Sequence, residues 1–526
     1  MRFGVGVAFR QLSLRRQEAL DLVVGDTHRE TELLEVDLGE NAVVLLADED
    51  ADGRVVARAV QDALGHRQVA AELSEVGRLV FRRLDLHHEI AVQRHDVEEK
   101  VDVDALVSSL EKGFLHGSDT LSFYKNYFAS NPARFYLPDD DYTFFDGVFS
   151  DWESAKNSGI TWRIVHYGDS QIEMDRISSD LREFLQERFS GEGTGMFPAL
   201  GNVPSASIYK SASGGFVHYT MYGDSTTVRA PHRRYGVMAQ LSSLSGGGTV
   251  SLKASSNRYA KERTKKFSSV SVLLGKNTEG FSAKLVSDTI RPRATVLDKD
   301  TLGARMITWN LPHSVSKASI SFKGSAEIYG IMADGKGGVA VDNIPLRGSS
   351  GTIFSRIDEN VMKRSMALDH TDLIILQFGG NMMPSVYSSK SISSYMDAVR
   401  KQISYFHKVA PHAKVLFIGP SDMGKSVGGR IVTWPRLGEM IDSLRSAALE
   451  SGAAFWDLYS VMGGENSMVR WVKHNPPYAG PDYIHFTQSG SEIVGLTLAK
   501  SILVYNDFYR LRKVLSDAEV RKYMLQ

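Results

Sequence analysis

Strand-like runs of two kinds alternate along this chain, and their order constrains the fold more than any other feature. Near-continuous apolar runs, separated by segments with helical periodicity, occur between residues 161 and 189 and again after residue 326. Such runs are typical of a parallel sheet that is covered by helices on both faces. From about residue 205 to 325 the runs are short, alternate polar with apolar residues and are broken by Ser, Gly and Thr. That pattern predicts an antiparallel β-sandwich, so the sandwich interrupts an α/β domain.

The runs of the second α/β segment are read as parallel strands. They are "AEIYGIMA", "DLIILQF", "AKVLFIG" and "AAFWDLY". The α/β domain is therefore predicted over residues 105–204 and 326–526, with the inserted sandwich over 205–325. Residues 1–104 contain no Trp or Tyr, and their first lysine is Lys100. This break in composition suggests an N-terminal extension of unclear role, either poorly ordered or not native to the protein.

Composition excludes several classes of protein. The formal net charge of -1 argues against a nucleic-acid partner. The absence of cysteine excludes disulfides, thiolate metal sites and cysteine nucleophiles. No apolar run approaches the roughly 20 residues of a transmembrane helix, and the opening "MRFGVGVAFRQLSLRRQ" does not match a secretory signal. The sequence does not predict an oligomeric state.

The tetrapeptide Tyr-Gly-Asp-Ser occurs twice, ending at Ser170 and at Ser225. Ser170 follows the apolar run "TWRIVHY" and precedes a helical pattern, so it is expected at the carboxyl edge of the sheet, where active sites of open α/β sheets collect. A helix N-terminus there favours a developing negative charge. Ser225 is followed by "TTVRA" inside the predicted sandwich, which indicates an ordinary turn. A Gly-Asp-Ser alone is more often a turn or a helix cap than a nucleophile.

Three other segments supply partners for Ser170. "PDYIHFTQSG" places Asp482 and His485 three residues apart in a loop before the last amphipathic helix, where a carboxylate can orient an imidazole. Asp482 and His485 are also compatible with ordinary surface residues near the start of a helix. "DLIILQFGGN" ends in Asn381, whose amide can donate to an oxyanion, and "DNIPLRGSSG" contains Gly348, whose backbone N–H can do the same.

The order and placement of these motifs resemble the SGNH (GDSL) hydrolase family, over residues 160–200 and 326–505. The resemblance implies a three-layer α/β/α domain and a Ser-His-Asp triad. It makes Ser170 the nucleophile, with Asp482 and His485 as its partners. It assigns the oxyanion hole to the N–H groups of Ser170 and Gly348 and to the amide of Asn381. It implies no metal or organic cofactor.

The inserted sandwich makes the architecture similar to two-domain bacterial peptidoglycan O-acetylesterases, in which a module like a carbohydrate-binding module interrupts the SGNH domain. This similarity implies a serine esterase that acts on an acetylated polysaccharide or peptidoglycan in the periplasm or at the cell surface. Relatives of the fold also transfer acetyl groups between carbohydrates, and a glycan-binding protein without activity is a further alternative.

One motif favours a different class of protein. "GPSDMGKS", residues 419–426, matches the phosphate-binding pattern G-x-x-x-x-G-K-[ST] after an apolar strand. The following "VGGRIVTWP" is poor helix material, whereas the pattern requires a helix directly after it. A strand-end loop of a hydrolase sheet is therefore preferred to a nucleotide site. "DEDADG", residues 48–53, lacks the calcium-loop glutamate because Ala59 stands there, and the histidine pair at His87 lacks the spacing of a zinc site.

Overall fold

The computed structural model describes part of the chain, and everything below refers to that part. It comprises residues 34–38, 41–49, 55–58, 117–201, 204–223, 227–288, 290, 294–300, 303–515 and 520. The expectations for Ser225, His87, the boundary near residue 105 and most of the acidic loop 48–53 lie outside these residues. The chain divides into two units, Met1–Lys100 and Val101–Gln526.

The strands are β1 (Leu34–Leu38), β2 (Asn41–Glu49), β3 (Val55–Arg58), β4 (Phe135–Tyr136), β5 (Thr161–Gly168), β6 (Gly193–Phe197), β7 (Ile208–Thr220), β8 (Gln240–Ala254), β9 (Phe267–Asn277), β10 (Phe281–Val286), β11 (Ala294–Leu297), β12 (Arg305–Val315), β13 (Lys317–Lys323), β14 (Ala326–Asp334), β15 (Gly338–Pro345), β16 (Thr371–Gln377), β17 (Lys414–Ile418), β18 (Gly424–Val427), β19 (Arg430–Thr433) and β20 (Ala454–Trp456). The α-helices are α1 (Gly117–Ser130), α2 (Asp146–Ser158), α3 (Ser178–Phe189), α4 (Glu359–Leu368), α5 (Ser389–Val409), α6 (Leu437–Glu450), α7 (Leu458–Val461), α8 (Ser467–Lys473) and α9 (Gln488–Val514). In the first unit, β1, β2 and β3 form an antiparallel sheet.

A mostly parallel sheet organises the second unit. Its order is β15-β5-β16-β17-β20-β4, and only the edge pair of β20 with β4 is antiparallel. Among the parallel strands, β5 comes first in the chain, followed by β15 on one side of it and then by β16 on the other. The strand order therefore reverses between β5 and β16. In doubly wound sheets, ligands bind at the carboxyl ends of the strands at this reversal. The ends of β5 and β16 are therefore where the fold favours a site.

Alternate side chains of the parallel strands enter two different cores, which explains their continuous apolar character. In β16, Ile374 and Leu376 join a core with α4, α5 and α6. Leu373 and Ile375 join a second core with α1, α2, α3 and α9. Each fully buried aliphatic side chain of this kind stabilises the fold by about 1.5–3 kcal/mol. Helices thus cover both faces of the sheet, as its sequence pattern predicts.

The nine strands β6–β14 form an antiparallel sheet. Strand β8 pairs through residues 242–244 with β14 and through residues 247–253 with β13. This long strand therefore joins two arms of the sheet, one formed by β10, β11 and β13 and the other by β9, β12 and β14. Side chains from both arms pack into a third core. A mixed α/β chain with a mostly parallel sheet and a large antiparallel sheet is thereby confirmed.

Strand β14 differs from its expected place. "AEIYGIMA" was expected in the parallel sheet, but β14 pairs antiparallel with β6, β8 and β9. Its residues alternate between two cores: Tyr329 and Met332 enter the core of the parallel sheet, whereas Ile328 and Ile331 enter that of the antiparallel sheet. Burial on both faces gives β14 the composition of a parallel strand. The strand that follows it, β15, is the parallel one.

None of the helices described here is both long and apolar enough to cross a bilayer.

Candidate active site

Ser170 lies directly after β5, at the carboxyl edge where the strand order reverses. The turn is braced by Asp169, whose Oδ1 accepts the backbone N–H of Gln171 at 2.9 Å. The expected long helix does not start here. A short 3-10 segment, Ser170–Asp175, comes first, and α3 begins at Ser178. Ile177, with φ 66°, separates this segment from α3. The N-terminus of the α-helix therefore does not directly follow the serine.

A second segment, residues 479–487, brings a histidine to this serine, and we call it the histidine loop. The Nε2 of His485 lies 2.8 Å from the Oγ of Ser170. Its Nδ1 lies 2.7 Å from the Oδ2 of Asp482. The side chains of His485 and Asp482 are 35% and 49% exposed. Three predicted residues that are far apart in sequence thus form one hydrogen-bonded chain, and its carboxylate end is open to solvent.

Asp482 also shapes the loop that carries it. Its Oδ1 accepts the backbone N–H groups of Ile484 at 3.0 Å and of His485 at 3.1 Å. Burial alone would raise the pKa of Asp482, but the hydrogen bonds from the ring and backbone of His485 and from Ile484 hold it below its usual value. The carboxylate therefore stays ionised and can stabilise an imidazolium. Thr487 then caps α9 by accepting the N–H of Gly490.

Two residues that the sequence analysis missed tie the histidine loop to the serine turn. The side chain of Gln171 donates to the carbonyl of Ile484 at 2.6 Å and accepts the N–H of Phe486 at 3.3 Å. Arg176 donates to the carbonyl of Ser170 at 2.6 Å and to that of Phe486 at 3.1 Å. Both follow the Gly-Asp-Ser motif within six residues of Ser170. Their role depends on a loop more than 300 residues away, and no local pattern signals it.

Asn381 follows β16 and lies beside the serine turn, as expected from its motif. Its Nδ2 donates to the Oδ2 of Asp169 at 3.1 Å and to the carbonyl of Ser349 at 3.2 Å. Burial raises the pKa of Asp169 to about 6. The Asp169 carboxylate thus has two functions, since it caps the turn and fixes the orientation of the Asn381 amide.

Gly348 is less well placed than expected. It lies in the exposed turn after β15 and has φ 72°. This turn approaches the site, since the carbonyl of Ser349 accepts from Asn381. The cleft above Ser170, however, is not lined by Gly348. The glycine predicted to donate to an oxyanion therefore lies in a turn next to the site and is not among the residues that line the cleft.

A cleft with a cavity volume of about 170 Å³ opens above the serine. Beyond Ser170, Asn381 and His485, its walls include Pro384, Pro420, Ser421, Met423, Trp434 and Ile484. The described residues contain no group of three or more His, Asp or Glu side chains arranged to hold a metal ion. The cleft therefore combines a serine–histidine pair with mostly apolar walls.

Residues 419–426 do not form a phosphate loop. Gly424 starts β18, which pairs antiparallel with β19, and the next helix begins only at Leu437. A phosphate site of this type needs the N-terminus of a helix directly after the loop, and this loop continues into a hairpin instead. Ser421 and Met423 contribute to the wall of the serine cleft.

His166 is buried in β5 close to the serine in sequence, but it has a structural role. Its Nε2 contacts the Oε1 of Gln377 at 3.0 Å and its Nδ1 contacts the Oγ of Ser178 at 3.0 Å. Burial lowers its pKa to about 4, so the ring stays neutral. It is a buried histidine whose hydrogen bonds are satisfied.

Comparison with solved structures identifies the fold. A peptidoglycan O-acetylesterase superposes with a TM-score of 0.57 at 20% identity, covering 69% of this chain and 96% of its own. A family two carbohydrate esterase from Cellvibrio japonicus matches with a TM-score of 0.22 at 10% identity, over 57% of this chain and 99% of its own. An acetylxylan esterase from Geobacillus stearothermophilus matches with a TM-score of 0.23 at 14% identity, over 31% and 73%.

Neither the family models nor the curated proteins gave a match to this sequence. The first of the three structures confirms the SGNH-type fold that the motifs predicted.

Proposed function

We propose that this protein is a serine esterase that removes O-acetyl groups from a cell-envelope glycan such as peptidoglycan. The observation that carries the proposal is the hydrogen-bonded chain from Ser170 through His485 to Asp482, with contacts of 2.8 and 2.7 Å. It lies at the edge of the sheet where this fold favours a site. The likeness in fold to a peptidoglycan O-acetylesterase supports the choice of substrate.

In the proposed mechanism, His485 takes the proton of Ser170 as its oxygen attacks the acetyl carbonyl. Asp482 holds the ring with Nδ1 protonated and stabilises the imidazolium. His485 then protonates the sugar oxygen, which leaves. Water, activated by the same histidine, attacks the acetyl-serine, and acetate departs as the proton returns to Ser170. This chemistry uses only protein groups.

The oxyanion is met by the N–H of Ser170 and by the amide of Asn381, with Gly348 as the third donor. In the resting site the amide of Asn381 donates to Asp169 and Ser349. One N–H of this amide must leave its resting acceptor and donate to the substrate oxygen as negative charge develops there. Donors that strengthen only in the transition state raise kcat, and the loss of one costs about 10²–10³ in turnover. Gly348 can contribute only if its turn moves over the cleft.

The division into an SGNH domain of residues 105–204 and 326–526 and an inserted module of residues 205–325 belongs to the same proposal. The antiparallel strands are a β-sandwich in this interpretation, similar to a carbohydrate-binding module, and they bring the polymer to the cleft. Activity on an envelope glycan places the protein in the periplasm or at the cell surface.

Acetate release from O-acetylated peptidoglycan tests the proposal. The wild type is expected to release acetate without an added acceptor, and Ser170→Ala is expected to lose at least about 10³ in kcat. The second copy of the motif provides the control, since Ser225→Ala should retain activity. A fluorophosphonate should label Ser170 and leave Ser225 unmodified.

Two results contradict the proposal. Labelling of Ser225 in place of Ser170 would reassign the nucleophile. Strict dependence on a carbohydrate acceptor would identify an O-acetyltransferase on the same fold.

A further inference from the structure

The hairpin of β18 and β19 has no role in the proposed chemistry, although it begins in the wall of the cleft. Its strands are joined by Gly428 and Gly429, both with positive φ, as a tight two-residue hairpin turn requires. Its base is fixed to the histidine loop, because the N–H of Gly424 donates to the carbonyl of Tyr483 at 2.8 Å. The hairpin therefore projects from the active site itself.

The pairing register shows which side chains share a face of this hairpin. Lys425 pairs with Val432 and Val427 with Arg430. The N–H of Trp434 donates to the carbonyl of Met423, which continues the ladder by one pair. Cross-strand partners lie on the same face of a hairpin and successive residues on opposite faces.

One face of the hairpin therefore carries three cross-strand pairs. It consists of Met423, Lys425, Val427, Arg430, Val432 and Trp434. Met423 and Trp434, at the base of this face, line the serine cleft. The opposite face packs at Gly424, where an added Cβ would lie 2.7 Å from the Cβ of Tyr483. The face that bears the two cations thus continues the cleft wall outward.

Both cations on this face are available to a ligand. Lys425 and Arg430 are exposed, and neither forms an ion pair with another residue that the structure describes. The Nζ of Lys425 lies 4.7 Å from the centroid of the Trp434 ring. Trp434 at the cleft, with the ammonium of Lys425 over its ring and the guanidinium of Arg430 further along the hairpin, combines an aromatic surface with positive charge.

We propose that this hairpin face is a subsite for an anionic sugar, which selects acetylated glycans that carry a carboxylate near the ester. The inference rests on the proposed function. The sugar ring packs on Trp434, and its carboxylate pairs with Lys425 or Arg430. Sugars expose C–H groups that pack on aromatic faces, and a guanidinium binds a carboxylate through two parallel hydrogen bonds. The lysine of the apparent phosphate loop thus acquires a role in anion recognition.

The test compares two substrates that differ only in charge. They are O-acetylated muramic acid disaccharides with the lactyl carboxylate either free or converted to its amide, and the readout is acetate release. The wild type is expected to prefer the carboxylate by about two- to fivefold in kcat/KM, because an exposed ion pair contributes at this level. In Lys425→Gln/Arg430→Gln the ratio should fall to about one. The ratio is insensitive to partial misfolding, since both substrates meet the same enzyme.

Matched variants separate local charge from net charge. Lys363→Gln/Arg364→Gln removes two exposed cations from α4, and the preference should stay as in the wild type. Lys425→Arg/Arg430→Lys keeps both charges and should retain most of it. Added salt should weaken the preference, since exposed ion pairs are screened.

Equal turnover of the two substrates by the wild type would overturn this inference and leave the esterase proposal standing. If Lys425→Gln/Arg430→Gln still prefers the substrate with the free carboxylate, this inference is likewise overturned and the esterase proposal stands. Failure of the wild type to release acetate from either substrate would overturn both proposals.

Discussion

Replacing Asp482 by asparagine separates the two tasks of this side chain. Its Oδ1 accepts two backbone N–H groups, and its Oδ2 accepts the ring proton of His485. Asparagine keeps a carbonyl oxygen for the backbone donors, so the histidine loop is expected to keep its conformation. Its NH₂ group donates toward Nδ1 of His485, and the neutral ring then carries its proton on Nε2. A ring in this tautomer points a proton at Ser170 and cannot act as its base.

The exposure of the pair determines the size of the effect. In a buried triad this substitution costs about 10⁴ in kcat. Two unit charges about 4 Å apart attract by about 4 kcal/mol at an effective dielectric of 20, but by only about 1 kcal/mol in water. Asp482 is 49% exposed and His485 is 35% exposed, so the ion pair lies between these limits. With the tautomer included, we expect Asp482→Asn to lower kcat/KM by about 10²–10³, or about 2.7–4 kcal/mol.

The assay is hydrolysis of p-nitrophenyl acetate at pH 7, measured with the midpoint of thermal unfolding. Asp482→Asn should unfold within about 2 °C of the wild type, because the hydrogen bonds to its backbone partners remain. Asp482→Ala removes those hydrogen bonds as well and should be both less active and less stable. A fivefold or smaller loss in Asp482→Asn, with Ser170→Ala inactive, would show that the carboxylate does not orient the base.

Three further predictions address the support of the site and the fold. Gln171→Ala removes two hydrogen bonds to the histidine loop and should lower kcat/KM by about tenfold with little change in KM. Gly490→Ala places a Cβ 1.9 Å from the carbonyl of Tyr478 and should lower the unfolding midpoint by several degrees, whereas Gly438→Ala, with nothing within 4 Å, should stabilise by about 0.5–1 kcal/mol. Burial raises the pKa of Asp369 to about 7, so its contribution to stability falls as pH rises from about 4 through 7. Asp369→Asn should therefore raise the midpoint by about 2–4 °C at pH 8 and by distinctly less at pH 5.

Local signals were sufficient for the parts of the site that depend on short segments. The turn at Ser170 and the spacing of Asp482 and His485 could be predicted because each requires a strand end or a loop of a few residues. Gln171 and Trp434 could not be predicted in the same way. Gln171 acts on a loop distant in sequence, and Trp434 enters the cleft only because two glycines fold β18 and β19 into a hairpin.

Periodicity predicted the two sheets but misplaced one strand between them. An apolar run without alternation indicates only that both faces of a strand are buried. It does not identify the helices or strands that pack on each face. In β14 the two faces meet the cores of two different sheets. Gly348 shows the same limit, because the position of its turn depends on the strand that precedes it. The structure inserts β15 between β14 and that turn.

The two-sided burial of β14 also affects how this protein can be engineered. One face of β14 packs into the core that the parallel sheet forms with its helices. Removing the whole antiparallel region would therefore expose apolar side chains of that core to solvent. A graft that replaces the rest of the antiparallel region should therefore join after Phe197 and before Ala326, retaining β6 and β14. The antiparallel region is thus joined to the parallel sheet through a shared core and does not pack independently of it.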